Sequence, residues 1–254
     1  MKIDGRIAKA YLAGEDIRCY RDHWIYNCFG GCVFEYPGPC HRRWAAELYK
    51  KLADQIQTYI PRNYDAVKTM FPNFDEIAAD YTVMLVVGFP DPYDAMVLEH
   101  EGQETMVFDL IQFGEEALDK NYSCHRVLTH ELTHMCLSRY YPVPSAPTYP
   151  EYLDYTAFNE GFAHALTYPE NLAEFTFDAF HEEKFERAKE TLRLAAAETD
   201  PVKRAVYRKA SDTGEYWGKF ASIAGKLYIL KHLDDAEILF RNGWKGFVHT
   251  ILSE

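Results

Sequence analysis

No apolar run in these 254 residues approaches the roughly 20 that a membrane-spanning helix needs. The charged start, Met1-Lys2-Ile3-Asp4-Gly5-Arg6, is not followed by an apolar leader segment. No secretory signal is therefore expected, and the cytoplasm is the expected location. Basic residues are also scarce. Against 39 Asp and Glu stand 27 Lys and Arg, for a net charge of -12. Phosphate backbones need clustered cations, so nucleic acid is excluded as a partner. Acidity of this size mainly serves solubility, and a preference for cationic peptides has little else behind it. The sequence shows no internal repeat and no low-complexity tract. It has six cysteines but no paired C-x-x-C, which argues against a zinc ribbon. Cys19, Cys28, Cys32 and Cys40 near the start, and Cys124 and Cys136 further on, are expected to be reduced structural thiols.

What is present suits a globular chain. Hydrophobic residues make up 48%, enough for a sizeable core in one large domain or two small ones. Ile3–Ala13 reads as a short helix ending at Gly14, and His41–Ile60 as a long amphipathic helix stopped by Pro61. Trp44, Leu48, Leu52, Ile56 and Tyr59 lie near one side of that helix. His23 and His41 are expected to be surface or packing residues. Tyr64–Met70 reads as another short helix. Two strands follow, Tyr81–Val87 and Thr105–Phe113, separated by the turn-rich Asp91-Pro92-Tyr93-Asp94. After Pro169 the chain is nearly all helical. The expected organisation is an N-terminal part over 1–80, a core over 81–170 and a helical part over 171–254, forming one compact unit of α+β class.

The chemistry concentrates in Leu128-Thr129-His130-Glu131-Leu132-Thr133-His134-Met135. On a helix, His130 and His134 lie one turn apart on one face, with Glu131 beside them. Leu128, Leu132 and Met135 form the opposite, apolar stripe. Two imidazoles so placed can bind one zinc ion while a carboxylate stands ready as general base. Cys136 turns about 200° away from His134 and should not reach the metal. Downstream, Tyr155-Thr156-Ala157-Phe158-Asn159-Glu160-Gly161-Phe162-Ala163 offers a third donor, Glu160, away from the Phe158, Phe162, Ala165 and Leu166 stripe. Two His and one Glu leave a fourth tetrahedral position open, as catalytic zinc sites do. His181-Glu182-Glu183 has Phe185 where a second His would stand and reads as a solvated face.

His130-Glu131-Leu132-Thr133-His134 followed by Asn159-Glu160-Gly161-Phe162-Ala163 resembles the gluzincin zinc peptidases, and is most similar to their aminopeptidase-N-type branch. The resemblance covers the middle and C-terminal parts of the chain. It implies one zinc per chain held by His130, His134 and Glu160, with Glu131 as general base and a peptide or protein as substrate. It also implies a small sheet beside the metal helix, with zinc at the floor of a cleft. An edge strand, taken to be 105–113, would then pair with an extended peptide; the other reading is a plain core hairpin. By the same likeness Tyr216 in Glu215-Tyr216-Trp217-Gly218-Lys219-Phe220 stabilises the oxyanion. Lys219 stands where that pattern has Gly, and Tyr216 also heads the apolar stripe Phe220, Ile223, Leu227, so it reads equally as core. Tyr152, Tyr155 and Tyr168 are reserves for the role.

His164, where thermolysin-like enzymes carry Asp, is expected to hydrogen-bond behind the ligands, with Asn159 in a supporting part. The proline-rich Tyr141–Pro150 is either a wall of the cleft or a rigid connector. The chain between His134 and Glu160 is somewhat longer than in thermolysin. No segment matches the Gly-Ala-Met-Glu-Asn type that binds a free amine in the similar aminopeptidases, Leu98-Glu99-His100-Glu101-Gly102 included. Endopeptidase and aminopeptidase readings stay open together. So do a catalytically silent zinc-containing peptide-binding or regulatory protein and a non-peptide amide or ester hydrolase.

Overall fold

The computed structural model describes residues 1–91 and 93–254. Pro92, in the passage expected to be turn-rich, lies outside the described residues. The chain opens with strand β1 (Lys2–Asp4) and helices α1 (Arg6–Ala13), α2 (Arg42–Gln57), α3 (Tyr64–Met70) and α4 (Phe74–Asp80). Strands β2 (Thr82–Val86), β3 (Ala95–His100) and β4 (Gln103–Asp109) follow, then the short α5 (Leu110–Phe113). The remainder is helical: α6 (His125–Tyr140), α7 (Tyr149–Thr167), α8 (Ala179–Ala197), α9 (Pro201–Ala210), α10 (Phe220–Lys231), α11 (Ala236–Asn242) and α12 (Phe247–Leu252). The class is α+β. No helix among the described residues is long and apolar enough to cross a membrane.

The chain forms two compact units, each with its own core. The first comprises Met1–Ile60 and Asp75–His125. It holds a four-stranded sheet of order β1-β2-β4-β3, in which only β3 runs antiparallel to its neighbour. Val83, Met84, Leu85 and Val86 are all buried, because a central parallel strand is covered on both faces. Ile7, Ala8 and Tyr11 of α1 and Ala45, Leu48, Leu52 and Ile56 of α2 complete that core.

Three expectations are corrected here. Residues 2–4 are a sheet strand, so the first helix starts at Arg6. The strand expected over 105–113 ends at Asp109, whose buried carboxylate accepts from Ile111 N (2.8 Å) and Gln112 N (3.1 Å) and so starts α5. Finally, β4 is hydrogen-bonded on both sides, by β2 and β3, and cannot be the edge strand that pairs with a peptide. The edges of the sheet are β1 and β3. The β3–β4 hairpin turns at Glu101 (φ 53) and Gly102 (φ 76), the pair of left-handed residues a two-residue turn demands. The four N-terminal cysteines are free and exposed, whereas Cys124 and Cys136 are free and buried.

The second unit comprises Pro61–Phe74 and Arg126–Glu254. Thr148 and Glu151 form a reciprocal capping box at the start of α7, and Pro150 sits in the first turn, where its missing N–H costs nothing. The irregular proline-rich stretch therefore ends earlier than expected. Asn63 fastens α3 to the end of α7, donating to Leu166 O (2.8 Å) and Pro169 O (3.0 Å) and accepting from Leu172 N (2.8 Å). Nearly every residue of α10 is buried, and α7 is buried over most of its circumference.

These two helices touch backbone to backbone. A Cβ on Gly225 would lie 1.8 Å from Ala157 O, and one on Gly161 would lie 2.8 Å from the Gly225 carbonyl carbon. Only glycine fits at that crossing. Since the obstacles are backbone atoms, Gly225→Ala is expected to destabilise the fold by about 3 kcal/mol, the upper end for overpacking. A urea denaturation midpoint that stays at the wild-type value would refute this tight crossing.

Candidate metal centre

All of the side chains that matter here belong to the second unit. On α6, Leu128, Leu132, Cys136 and Leu137 are buried together with Thr129 and Thr133, while Met135 is half-buried. The apolar stripe is thus shifted round from the expected Leu128, Leu132 and Met135. His130, Glu131 and His134 lie on the half-buried face. Thr133 Oγ1 donates to Thr129 O (2.7 Å), and Thr129 Oγ1 accepts from Arg62 N (3.1 Å), so the hidden hydroxyls are satisfied. Glu160 is the half-buried residue in a stretch of α7 where Phe158, Asn159, Gly161 and Phe162 are all buried.

The donor atoms converge. His130 Nε2 and His134 Nε2 are 3.0 Å apart. Glu160 Oε1 is 3.4 Å from His134 Nε2, and Glu160 Oε2 is 3.7 Å from His130 Nε2. Ligands at about 2.0–2.1 Å from a tetrahedral zinc sit about 3.3 Å from one another, so this spacing is close to that of a metal's donor set. His164 joins the cluster, with Nε2 3.5 Å from Glu160 Oε2 and its ring centroid 4.6 Å from that of His130. One nitrogen each from His130 and His164 and one Glu160 oxygen lie within 4.8 Å of one another, the only such metal-ligand group found among the described residues. Neither Cys136 nor His181 takes part; His181 Nδ1 instead bonds Asp178 Oδ1 at 2.6 Å.

Protonation favours metal binding. Burial, reinforced by His134 and His164, holds the His130 imidazole well below its usual range. Burial pushes His164 down to about 3, with Lys226 and Lys219 adding to the effect. Glu160 is raised by burial, while His134 pulls it down and Asp212 pushes it up. Neutral imidazoles are what a metal requires. Asn159 fixes the tautomer of His134: its Oδ1 accepts from His134 Nδ1 in a short bond, and its Nδ2 donates to Tyr155 OH (3.1 Å). The Nε2 lone pair of His134 therefore faces both His130 and the Glu160 carboxylate. Lone pair and carboxylate repel each other at this distance, and a cation between them turns the repulsion into two bonds. The donor set, two imidazole nitrogens and a carboxylate oxygen, suits zinc.

His164 is 4% exposed, and its Nδ1 is buried without a hydrogen-bond partner. A bare lone pair is cheaper to bury than a bare N–H, which assigns the proton to Nε2, facing Glu160. Tyr168 packs against His164 at a tilt, with ring centroids 5.0 Å apart, and feels the charges of both Glu131 and Glu160. Tyr216 packs edge-on against His164 at 5.5 Å and at a tilt against Tyr168 at 5.1 Å. Its hydroxyl accepts from Lys226 Nζ at 2.8 Å. Lys226 is 5% exposed, enclosed by the rings of Tyr168, Tyr216 and Trp217, and burial lowers it to about 8.

The structure thus gathers His130, His134, Asn159, Glu160, His164 and Tyr216 into one neighbourhood, and Glu131 sits beside His130 on the same helix. Sequence reasoning missed Lys226 and Asp212. It noted Lys219 only as a departure from a pattern, yet the charge of Lys219 acts on His130, Glu160, His164 and Asp212. A lysine inside an otherwise apolar helix, as in Ala224-Gly225-Lys226-Leu227, was the available signal for Lys226. A cavity of about 190 Å³ opens beside Glu160 and Asn159, with Val143, Pro144 and Pro147 in its wall. A larger cavity of about 470 Å³, between Asn63 and Glu237, includes none of these site residues. In comparisons with known proteins, no family model, no curated protein and no solved structure matches this chain.

Proposed function

We propose that this chain is a zinc-dependent peptidase with a gluzincin-like site, similar to the aminopeptidase-N-type branch. The observation that carries the reading is the convergence of His130 Nε2 and His134 Nε2, on the helix that also bears Glu131, with the Glu160 carboxylate of α7, at 3.0–3.7 Å. His130, His134 and Glu160 would hold the ion. Zinc, when bound, supplies a Lewis acid for the substrate carbonyl and lowers the pKa of water.

The rest is done by the chain. Asn159 holds His134 in the tautomer that leaves Nε2 free. His164, with Nε2 3.5 Å from Glu160 Oε2, is placed to steady that carboxylate beside the two imidazoles. Glu131 takes the proton of the attacking water on its carboxylate and returns it to the leaving amine nitrogen. Tyr216 is the donor to the developing oxyanion. Lys226 occupies the acceptor side of its hydroxyl oxygen, which leaves the phenolic hydrogen free to point elsewhere. Burial, with Tyr168 adding to it, raises the Tyr216 phenol against the pull of Arg126, so it stays protonated and able to donate at neutral pH.

The intact Glu131 favours hydrolysis over a silent peptide-binding or regulatory protein, because binding alone needs no base. An amide or ester hydrolase on the same site remains the alternative in chemistry. The test combines metal analysis with hydrolysis of an unbiased peptide library. The chain is expected to carry about one zinc, to lose hydrolysis on chelation and to regain it when zinc is restored. A chain that takes up no zinc after reconstitution, or cleaves small esters but no peptide bond, refutes the reading.

A further inference from the structure

The cavity beside Glu160 has a distinctive chemistry. Pro144, Pro147, Tyr152 and Tyr155 give it hydrocarbon and aromatic walls, and two carboxylates, Glu160 and Asp212, face into it. Both tyrosines are pinned. Tyr152 OH donates within reach of Arg208 O (3.2 Å), Ser211 Oγ (3.1 Å) and Asp212 Oδ2 (3.4 Å), and the Arg208 guanidinium lies on its ring at 4.1 Å. Tyr155 OH accepts from Asn159 Nδ2, the amide that also holds His134. One wall residue, Tyr155, is thus joined to the candidate metal centre through Asn159, while Tyr152 is joined to Asp212.

The volume, about 190 Å³, is that of one side chain. A cavity of about 150 Å³ holds a benzene ring. A metal ion would neutralise Glu160, leaving Asp212 as the uncompensated charge of the cavity. Asp212 has no cation within ion-pair distance among the described residues; Arg208 is engaged on the face of Tyr152, and Lys219 acts only at longer range. Burial raises the Asp212 carboxyl, while hydrogen bonds from Tyr152 and Ser211 and the charge of Lys219 pull it back only in part. A cavity with proline and tyrosine walls and a carboxylate besides Glu160 suits a hydrocarbon stem that ends in a cation. A free α-ammonium brings no stem and would leave the proline and tyrosine walls uncovered.

Building on the peptidase reading above, we propose that this cavity is the specificity pocket of the site and that it takes a lysine or arginine side chain. The stem lies against Pro144, Pro147, Tyr152 and Tyr155, and the cationic head meets Asp212. The excess of acidic residues over the whole chain would draw such substrates toward it.

The test is binding, so that it does not depend on turnover. Three small probes are titrated into the zinc-loaded full chain by ligand-observed NMR. They are Nα-acetyl-lysine methylamide, its neutral counterpart Nα-acetyl-norleucine methylamide, and norleucine methylamide with a free α-amine. The lysine probe is expected to bind about tenfold more tightly than acetyl-norleucine methylamide, as one charge-assisted contact gives. Asp212→Asn, with an unchanged melting temperature, is expected to abolish that difference. Tightest binding by free-amine norleucine methylamide, lost in Asp212→Asn, would overturn the assignment in favour of an α-ammonium site. Equal binding of all three probes, or a lysine preference that survives Asp212→Asn, would also overturn it. A chain that binds the lysine probe through Asp212 but cleaves no peptide keeps the pocket and refutes the peptidase. Cleavage without preference for basic residues does the reverse.

Discussion

Glu131→Gln is expected to slow peptide hydrolysis by roughly a thousandfold, within the range for loss of a general base, while zinc content stays at the wild-type value. Glutamine has the shape of glutamate and keeps one carbonyl oxygen, but it cannot accept a proton at neutral pH. The proposed ligands are His130, His134 and Glu160, so the substitution leaves the donor set untouched. Position 131 lies on the half-buried face of α6, and the charge there reaches the Tyr168 hydroxyl beside His164. The loss should fall on kcat with little change in KM, because a proton transfer is made only on the way to the transition state. Initial rates on one cleaved peptide, with metal analysis of the same sample, read both quantities. A variant that keeps its zinc and retains activity within a fewfold of wild type would remove Glu131 from the mechanism.

The second large effect is on metal affinity. Structural zinc sites with four ligands bind with about 10–16 kcal/mol, or about 3 kcal/mol per ligand, roughly a hundredfold in Kd. His130→Ala, His134→Ala and Glu160→Ala are each expected to lose at least that much. Asn159→Ala, which frees the His134 ring to rotate and change tautomer, is expected to lose about tenfold. His164 decides between two ligand sets. With its proton on Nε2, it supports Glu160, and His164→Ala should resemble Asn159→Ala. A loss as large as that of His134→Ala would instead place His164 on the metal. Competition against a chromophoric chelator orders the five variants directly.

How much of this could be read from the chain depends on the distance over which each feature is encoded. The juxtaposition of His130 and His134 is set by one helical turn and was legible, as were Tyr64–Met70 and the Leu48, Leu52 and Ile56 stripe of α2. The α+β class was also legible from the change of composition near Tyr81. The sheet order was not. Val83–Val86 and Met106–Phe108 are both continuous apolar runs because both strands are interior, and such runs do not say which one is an edge. Asp109 was hidden inside an apolar run although it ends a strand and caps a helix.

Within the site, Glu160 was legible as a carboxylate turned away from the Phe158 and Phe162 stripe, but the company it keeps was less so. His164 lies one turn away on its own helix and could be placed; whether it faced the metal or a carboxylate depended on the packing of Tyr168 and Tyr216 around it. Asp212, Lys219 and Lys226 come from the connection between α9 and α10 and from α10 itself, and only the folded chain brings them to Glu160 and His164. Asn159 reads in sequence as the residue before a ligand. In the structure it is the joint between His134 and Tyr155.

The bare backbone crossing of Gly161 and Gly225 has one more consequence. Gly161 follows Glu160 directly, so the docking of two helices and the placement of a metal donor are a single equilibrium. An ion that binds only the docked form stabilises the whole unit, by about 4 kcal/mol when its concentration is a thousand times its dissociation constant. Reciprocally, whatever loosens the crossing weakens the apparent hold on the ion once it populates the undocked form, in proportion to the docked fraction that is lost. On the proposed reading, the metal would then serve as a folding ligand as well as a reagent, and a cell short of zinc would be expected to lose the protein by unfolding as much as by silenced chemistry.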